Sequence, residues 1–326
     1  MSIKEKIKTR LVNHPFFYSI SKKIHHFFIF NLFLAAKLFR FLQEIFGYAA
    51  AKTVFLTQPG NIYFKNYYSD VILTEKIKYK KNTLVVKINT YWDYWRTFDF
   101  ESYSIQEVEN DLEDVKRNKP IVYYEIGANI GYSALFIAKI LGNNGHVYAL
   151  EVEPTNFKTL CDNTILNKLD NLTPINIGIS ENSNVSKFYY NIHHTKMHKS
   201  LPVSGMGAHS LVLDSNLHDN QIFCNSLFMP FDNLVKDFKL KMPTHIYIDT
   251  HGSELSVVDS MKSSIKNEDL EKIMIDIEQK DIKKVSESKV YKKLTNVGFE
   301  FKSNDILIGS DIFQNSYRSV FFRMPK

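Results

Sequence analysis

Residues 121 to 141 constrain the fold of this 326-residue chain more than any other stretch. An apolar, β-prone run, Ile121-Val122-Tyr123-Tyr124-Glu125-Ile126, leads into Gly127-Ala128-Asn129-Ile130-Gly131. An amphipathic, helix-prone segment, Ala134-Leu135-Phe136-Ile137-Ala138-Lys139-Ile140-Leu141, follows. The hydrophobic period changes from strand-like to helical across the two glycines, so they mark a strand-to-helix turn. Glycine at such a turn accepts positive φ and lets backbone approach a ligand closely. With Glu125 just before the first glycine, the pattern describes a nucleotide-type pocket at a strand end.

A second element supports this reading. Gly145-His146-Val147-Tyr148-Ala149-Leu150-Glu151 reads as the next strand, ending in an acid. Glu151 lies about 20 residues beyond the turn, the interval at which an acidic side chain accepts the hydroxyls of an adenosine ribose. The dinucleotide fingerprint G-x-G-x-x-G is not met, because Asn129 stands where its middle glycine would be. This argues against a nicotinamide-dependent oxidoreductase.

From Glu151 onward strands and helices alternate, which predicts an α/β fold with a mostly parallel sheet. The helix expected after Glu151 covers residues 155–168, and a third strand covers 174–179. An extra strand is expected at 185–190, a core strand at 244–249 with its helix at 253–261, and a further strand at 273–278. Phe299-Glu300-Phe301 and Val320-Phe321-Phe322-Arg323 supply a closing antiparallel pair. Upstream, Asn61 to Phe64 and Thr83 to Asn89 read as strands, and an acidic helix begins at a Ser104 N-cap. The expected organisation is a basic apolar N-terminal helical segment (1–51), a β-rich aromatic subdomain (52–118) and the main domain (119–326).

Charge is unevenly placed. Residues 1–40 carry eight Lys or Arg against the single acid Glu5, a net +7, whereas the other 286 residues hold 33 basic and 34 acidic side chains. The main body is therefore nearly neutral and lacks a nucleic-acid footprint. The uncharged run Ile24 to Ala36 covers 13 residues, short of the ~20 that a membrane-spanning helix needs. Its late start, with Lys37 and Arg40 directly after it, also argues against a secretory leader. Two readings stand for residues 1–50: an in-plane helix on anionic lipid at the inner face of the cell membrane, or a packed helix. Cys161 and Cys224 are the only cysteines, which fits a reducing, cytoplasmic compartment.

Two further clusters have a plain structural reading beside a functional one. Tyr91-Trp92-Asp93-Tyr94-Trp95 is read first as a small core and second as a stacking wall for a flat acceptor. His193, His194 and His198 lie in a long turn-rich loop without an acid or cysteine at a matching interval, so no metal site is assigned.

From about Lys119 to Met324 the chain resembles the FkbM family of S-adenosylmethionine-dependent methyltransferases. The resemblance rests on Glu125 to Gly131, on Tyr148-Ala149-Leu150-Glu151-Val152-Glu153-Pro154, on Phe231-Asp232-Asn233-Leu234, and on Ile246-Tyr247-Ile248-Asp249-Thr250-His251-Gly252-Ser253-Glu254. The last two look like the family's LDDL and KIDVEGAE segments, with His251 where the family carries glutamate. It implies a class I, Rossmann-like seven-stranded sheet with helices on both faces, preceded here by a helical and β extension. It also implies S-adenosylmethionine as cofactor and O-methylation of a hydroxyl on a sugar, glycolipid or related secondary metabolite. The other function considered is a non-catalytic cofactor-binding module that docks on membrane or a partner protein.

On this basis Glu125, Gly127, Ala128, Asn129, Gly131 and Glu151 are expected at the cofactor, and Ser180 near its adenine. A hydroxyl nucleophile needs a base. Asp249 at the end of its strand is the leading candidate, with His251 two residues on and Glu278 at the next strand end. Ser210 and Leu211 are expected to border the acceptor.

Overall fold

The computed structural model describes residues 73–88, 102–113, 119–190, 209–210, 223–250, 252–278, 285–307 and 316–323. The expectations for residues 1–51, for Asn61 to Phe64, for the Tyr91–Trp95 cluster, for His193, His194 and His198, for Leu211 and for His251 lie outside them. Among the described residues no helix is long and apolar enough to cross a membrane.

Six helices and thirteen strands are described. A hairpin of β1 (Leu73–Tyr79) and β2 (Asn82–Ile88) precedes α1 (Ser102–Glu113). Then follow β3 (Ile121–Ile126), α2 (Tyr132–Leu141), β4 (Gly145–Leu150), α3 (Pro154–Leu166) and β5 (Leu172–Ile175). A smaller sheet contains β6 (Gly178–Ile179), β7 (Asn184–Tyr190), β8 (His209–Ser210) and β9 (Phe223–Met229). The chain returns through α4 (Phe231–Asp237), β10 (His245–Ile248), α5 (Glu254–Asp259), β11 (Lys272–Glu278), α6 (Lys289–Asn296), β12 (Glu300–Leu307) and β13 (Ser316–Phe322).

The main sheet has the order β12-β13-β11-β10-β3-β4-β5. The five strands from β11 to β5 are parallel, and β13 enters antiparallel between β11 and β12. From β3 the chain first builds outward through β4 and β5, then crosses back to β10 on the other side. The topological switch point therefore lies between β3 and β10, where open α/β sheets bind their ligands.

Both faces of the sheet are covered, so its central strands are apolar on both sides. Tyr124, Ile126, Tyr148, Leu150, Ile246, Ile248, Ile273 and Ile275 pack with Phe231 and Leu234 of α4, Val257 and Val258 of α5, and Val290 and Leu294 of α6. The opposite face carries α1, α2 and α3. There α1 is held by buried ion pairs at the start of the strands: Lys272 Nζ lies 2.9 Å from Glu107 and 2.7 Å from Asp111, and His245 Nε2 lies 2.7 Å from Asp111. This network sits at the N-terminal ends of β10 and β11, the end of the sheet away from the switch point.

Two expectations are corrected here. Residues 174–179 do not form one strand: the chain leaves the main sheet after Ile175, and β6 joins the smaller sheet. The Asn176 side chain donates to the Glu151 carbonyl at 2.7 Å and Ile177 N bonds back to Ile175 O, which turns the chain between them. Ser104 is not an N-cap, because α1 starts at Ser102 and Ser104 is fully buried within it.

Candidate active site

β3 delivers the chain to the switch point, and the turn after it is held from both sides. The amides of Gly127 and Ala128 both donate to Leu150 O on the neighbouring β4 at 2.9 Å, and Gly131 N donates to Ala128 O at 2.8 Å. Gly127, Asn129 and Gly131 all have positive φ, at 89°, 53° and 85°. Asparagine is among the few residues that tolerate this conformation, since its side chain can bond locally. Asn129 does so: its Oδ1 accepts from Ile130 N at 2.8 Å.

The expected close approach at the glycines is real, but the protein's own atoms make it. A Cβ on Gly127 would overlap the Asp249 carbonyl, and one on Gly131 would overlap the Leu160 side chain of α3. Asp249 N in turn donates to Ile126 O at 2.9 Å. The ends of β3 and β10 thus meet directly at the switch point.

Glu151, one residue past β4, is buried, and its two carboxylate oxygens organise the region. Oε2 accepts from Asn129 N at 2.6 Å and Oε1 accepts from Glu153 N at 2.7 Å. Glu153 caps α3 by accepting from Asn156 N at 2.6 Å, with Pro154 at the first helical position. Glu125 is also buried and accepts from Ser133 Oγ in the first turn of α2.

A cofactor must suit this chemistry. Residues 121–138 and 145–157 contain three acids, Glu125, Glu151 and Glu153, and neither lysine nor arginine. Acids at the strand ends with no basic side chain in the turn itself suit a cationic sulfonium joined to a neutral ribose better than a pyrophosphate. Each carboxylate oxygen of Glu151 can accept more than one donor, so the ribose hydroxyls can share it with the backbone amides.

The structure gathers Glu125, Gly127, Ala128, Asn129, Gly131 and Glu151 around one turn and sets Asp249 against it. Ser180 stands apart, after β6 in the smaller sheet, where its Oγ donates to Asn182 O at 2.9 Å. Glu278 ends β11 opposite Ser316 of β13. Sequence reasoning missed the partners that fix these groups. Ser133 lies eight residues after Glu125. Glu254 accepts from Gly252 N at 2.6 Å and so closes the loop after β10. Asp232 of the LDDL-like segment accepts from the amides of Ser263 and Ser264 at 2.6 and 2.9 Å. Burial alone would raise the Asp232 pKa, but these hydrogen bonds lower it. The one signal available was Glu153-Pro154, an acid and a proline placed as an N-cap and a first helical residue.

The strand order with its antiparallel β13, together with this phosphate-averse turn, defines a class I S-adenosylmethionine-dependent methyltransferase domain. The chain belongs to the Methyltransferase FkbM domain family, whose sequence profile matches residues 125–301, and S-adenosylmethionine is the cofactor of such domains. A stretch of 105 residues is 33% identical to the tRNA(Phe) (4-demethylwyosine(37)-C(7)) aminocarboxypropyltransferase of Methanocaldococcus jannaschii; it covers 31% of this chain and 40% of that protein. The chain thus spans well under half the length of this curated relative. Among solved structures, Aeropyrum pernix fibrillarin with natively bound S-adenosyl-L-methionine is similar at 14% identity, with TM-score 0.40, over 78% of this chain and 86% of that one. The precorrin-6y C5,15-methyltransferase of Geobacter metallireducens is similar at 14% identity, with TM-score 0.36, over 67% of this chain and 88% of that one.

Proposed function

We propose that the protein is an O-methyltransferase that acts on a hydroxyl of a sugar, glycolipid or related metabolite. The observation that supports the proposal is the fit of the Asp249 backbone carbonyl against Gly127, which brings the strand end that carries Asp249 to the turn expected at the cofactor. When bound, S-adenosylmethionine supplies a methyl group on a positively charged sulfur. Glu151 holds the ribose and Glu125 and Asn129 border the methionine end, while the turn amides, all bonded within the chain, keep the turn itself in shape. Asp249 would accept the hydroxyl proton as the C–O bond forms and the methyl–sulfur bond breaks, its electron pair leaving with the neutral thioether S-adenosylhomocysteine; His251 and Glu278 are further candidates for that task.

The net +7 of residues 1–40 supports a placement at an anionic membrane face in the cytoplasm, where lipid-linked sugars are in reach. The likeness to a tRNA-modifying transferase raises a nucleic-acid acceptor as a second reading. The balance of 33 basic against 34 acidic residues beyond position 40 speaks against it.

The test is methyl transfer from labelled S-adenosylmethionine to glycans, glycolipids and tRNA, read by mass spectrometry. A mass gain of one methyl on a sugar hydroxyl is expected. Asp249→Ala should slow turnover by roughly 10²- to 10⁴-fold with cofactor affinity nearly unchanged. Transfer to tRNA alone, or unchanged turnover in the variant, overturns the corresponding part.

A further inference from the structure

We propose that the hollow between the smaller sheet and α5 is the acceptor subsite, shaped for a neutral polyhydroxylated ring such as a sugar unit without phosphate or carboxylate. This rests on the methyl-transfer reading above. The hollow has a volume of about 210 Å³, below the ~300 Å³ at which drug-sized ligand sites begin. It suits one ring rather than an extended chain.

Its place in the fold connects it to the chemistry. Ser256, on one wall, belongs to α5, the helix that follows the loop after Asp249. The facing wall comes from the smaller sheet, which reaches the end of β4 through Ser226 Oγ, 3.5 Å from Val152 O. The hollow therefore lies on the side of the domain where β4 and β10 end. Asn184 and Ser186 are two residues apart on β7 and project from one face of it. Asn184 is paired across the strands with Phe228 of β9, whose ring lies 6.5 Å from that of Phe188 and supplies the apolar part of the lining. Ser180, Glu181 and Asn182 form the rim turn.

The lining chemistry selects the ligand. The Ser186 and Ser256 hydroxyls can each donate and accept, Ser180 Oγ, which donates to Asn182 O, can still accept, and two asparagine amides do both from separate atoms, so they can follow the hydroxyl directions of a ring in either sense. Phe228 is 2% exposed, so it backs the hollow and leaves the ligand contacts to the polar groups. Among the described residues of the lining Glu181 is the only charged one. A ligand carrying phosphate or carboxylate would meet repulsion with no compensating cation among them, and a purely apolar ligand would strip water from six polar side chains. Ser180, expected near adenine, is thereby assigned to the acceptor instead.

The test uses the full chain loaded with S-adenosylhomocysteine and titrated with methyl glucoside, methyl galactoside, methyl mannoside and methyl rhamnoside, each compared with glucose 6-phosphate, by amide chemical-shift perturbation. At least one neutral glycoside should perturb Ser180, Asn184 and Ser256, binding at least about tenfold more tightly than the phosphate. Ser256→Val should weaken that glycoside about tenfold while S-adenosylhomocysteine binds as before; Asn184→Ala provides the same reading if Ser256→Val does not fold. Three results overturn the assignment: no glycoside perturbs these residues, the phosphate binds equally well, or either variant weakens S-adenosylhomocysteine, which would make the hollow part of the cofactor site. Failure of the wild type to bind S-adenosylhomocysteine at all would sink the methyl-transfer reading beneath it, and the subsite with it.

Discussion

The backbone carbonyl of Asp249 occupies the space that a side chain on Gly127 would need. Two strand ends far apart in sequence are thereby fitted against each other at the switch point, and the backbone of Asp249 is part of that fit.

The first prediction follows from that fit. Gly127→Ala puts a Cβ against a carbonyl that Asp249 cannot move without losing its bond to Ile126 O. It also places alanine at φ 89°, which costs about 1–2 kcal/mol by itself. Chemical denaturation should show a loss of about 3 kcal/mol or more; a loss under about 1 kcal/mol would mean that the β10 end is freely displaced.

The second concerns pH. Burial would raise the Asp111 pKa, yet the hydrogen bond from His245 and the Lys272 ammonium outweigh it and hold the group at about 2. Glu107 is also lowered, its burial outweighed by Lys272 and Lys302. A carboxylate with a depressed folded pKa stabilises the fold above its unfolded value of about 3.9, and that contribution disappears as pH falls toward the folded value. For Asp111 the contribution is about 2 kcal/mol at neutral pH. Urea denaturation across pH should show wild-type stability falling between about pH 5 and pH 2. Asp111→Asn should be less stable at pH 7 and show a shallower fall. Parallel curves for the two proteins would remove Asp111 from this account.

The third concerns a bridge made by one side chain. Buried Asn163 of α3 accepts from Lys87 N of β2 at 2.7 Å and donates to Ile130 O in the glycine turn at 3.2 Å. One helical turn on, Asn167 accepts from Val85 N at 2.9 Å and donates to Val85 O at 2.7 Å. These amides take the place of a neighbouring strand along the edge of β2. Asn163→Ala should cost about 2 kcal/mol and speed hydrogen exchange at the Lys87 amide. Unaltered exchange there would show that the hairpin is held by other contacts.

The parts of the fold that could be read from sequence are those set by short-range periodicity. The β3 turn, α2 and β4 emerged within a residue or two because apolar spacing and glycines fix them locally. The split of residues 172–179 into two sheets was hidden, since it depends on Asn176 reaching Glu151 O, a partner 25 positions back. The same limit applies to the cluster around the turn. Sequence singled out Glu151 and both glycines, but it attributed the crowding at the glycines to a ligand, whereas the neighbours are Asp249 and Leu160. Asp232 stood out only as part of a resemblance; its work on the amides of Ser263 and Ser264 required the fold to bring together positions about thirty residues apart. The helix over residues 155–168 was legible, but the bonds of Asn163 and Asn167 to the edge of β2 were not, since their partners lie 76 and 82 positions away.

The turn from Gly127 to Gly131 is immobilised on every side by intrachain atoms before any ligand arrives. Its conformational freedom is given up during folding, so capture of a cofactor involves little further ordering of this loop. Substitutions around it should consequently show themselves as altered residence time more than as altered association rate.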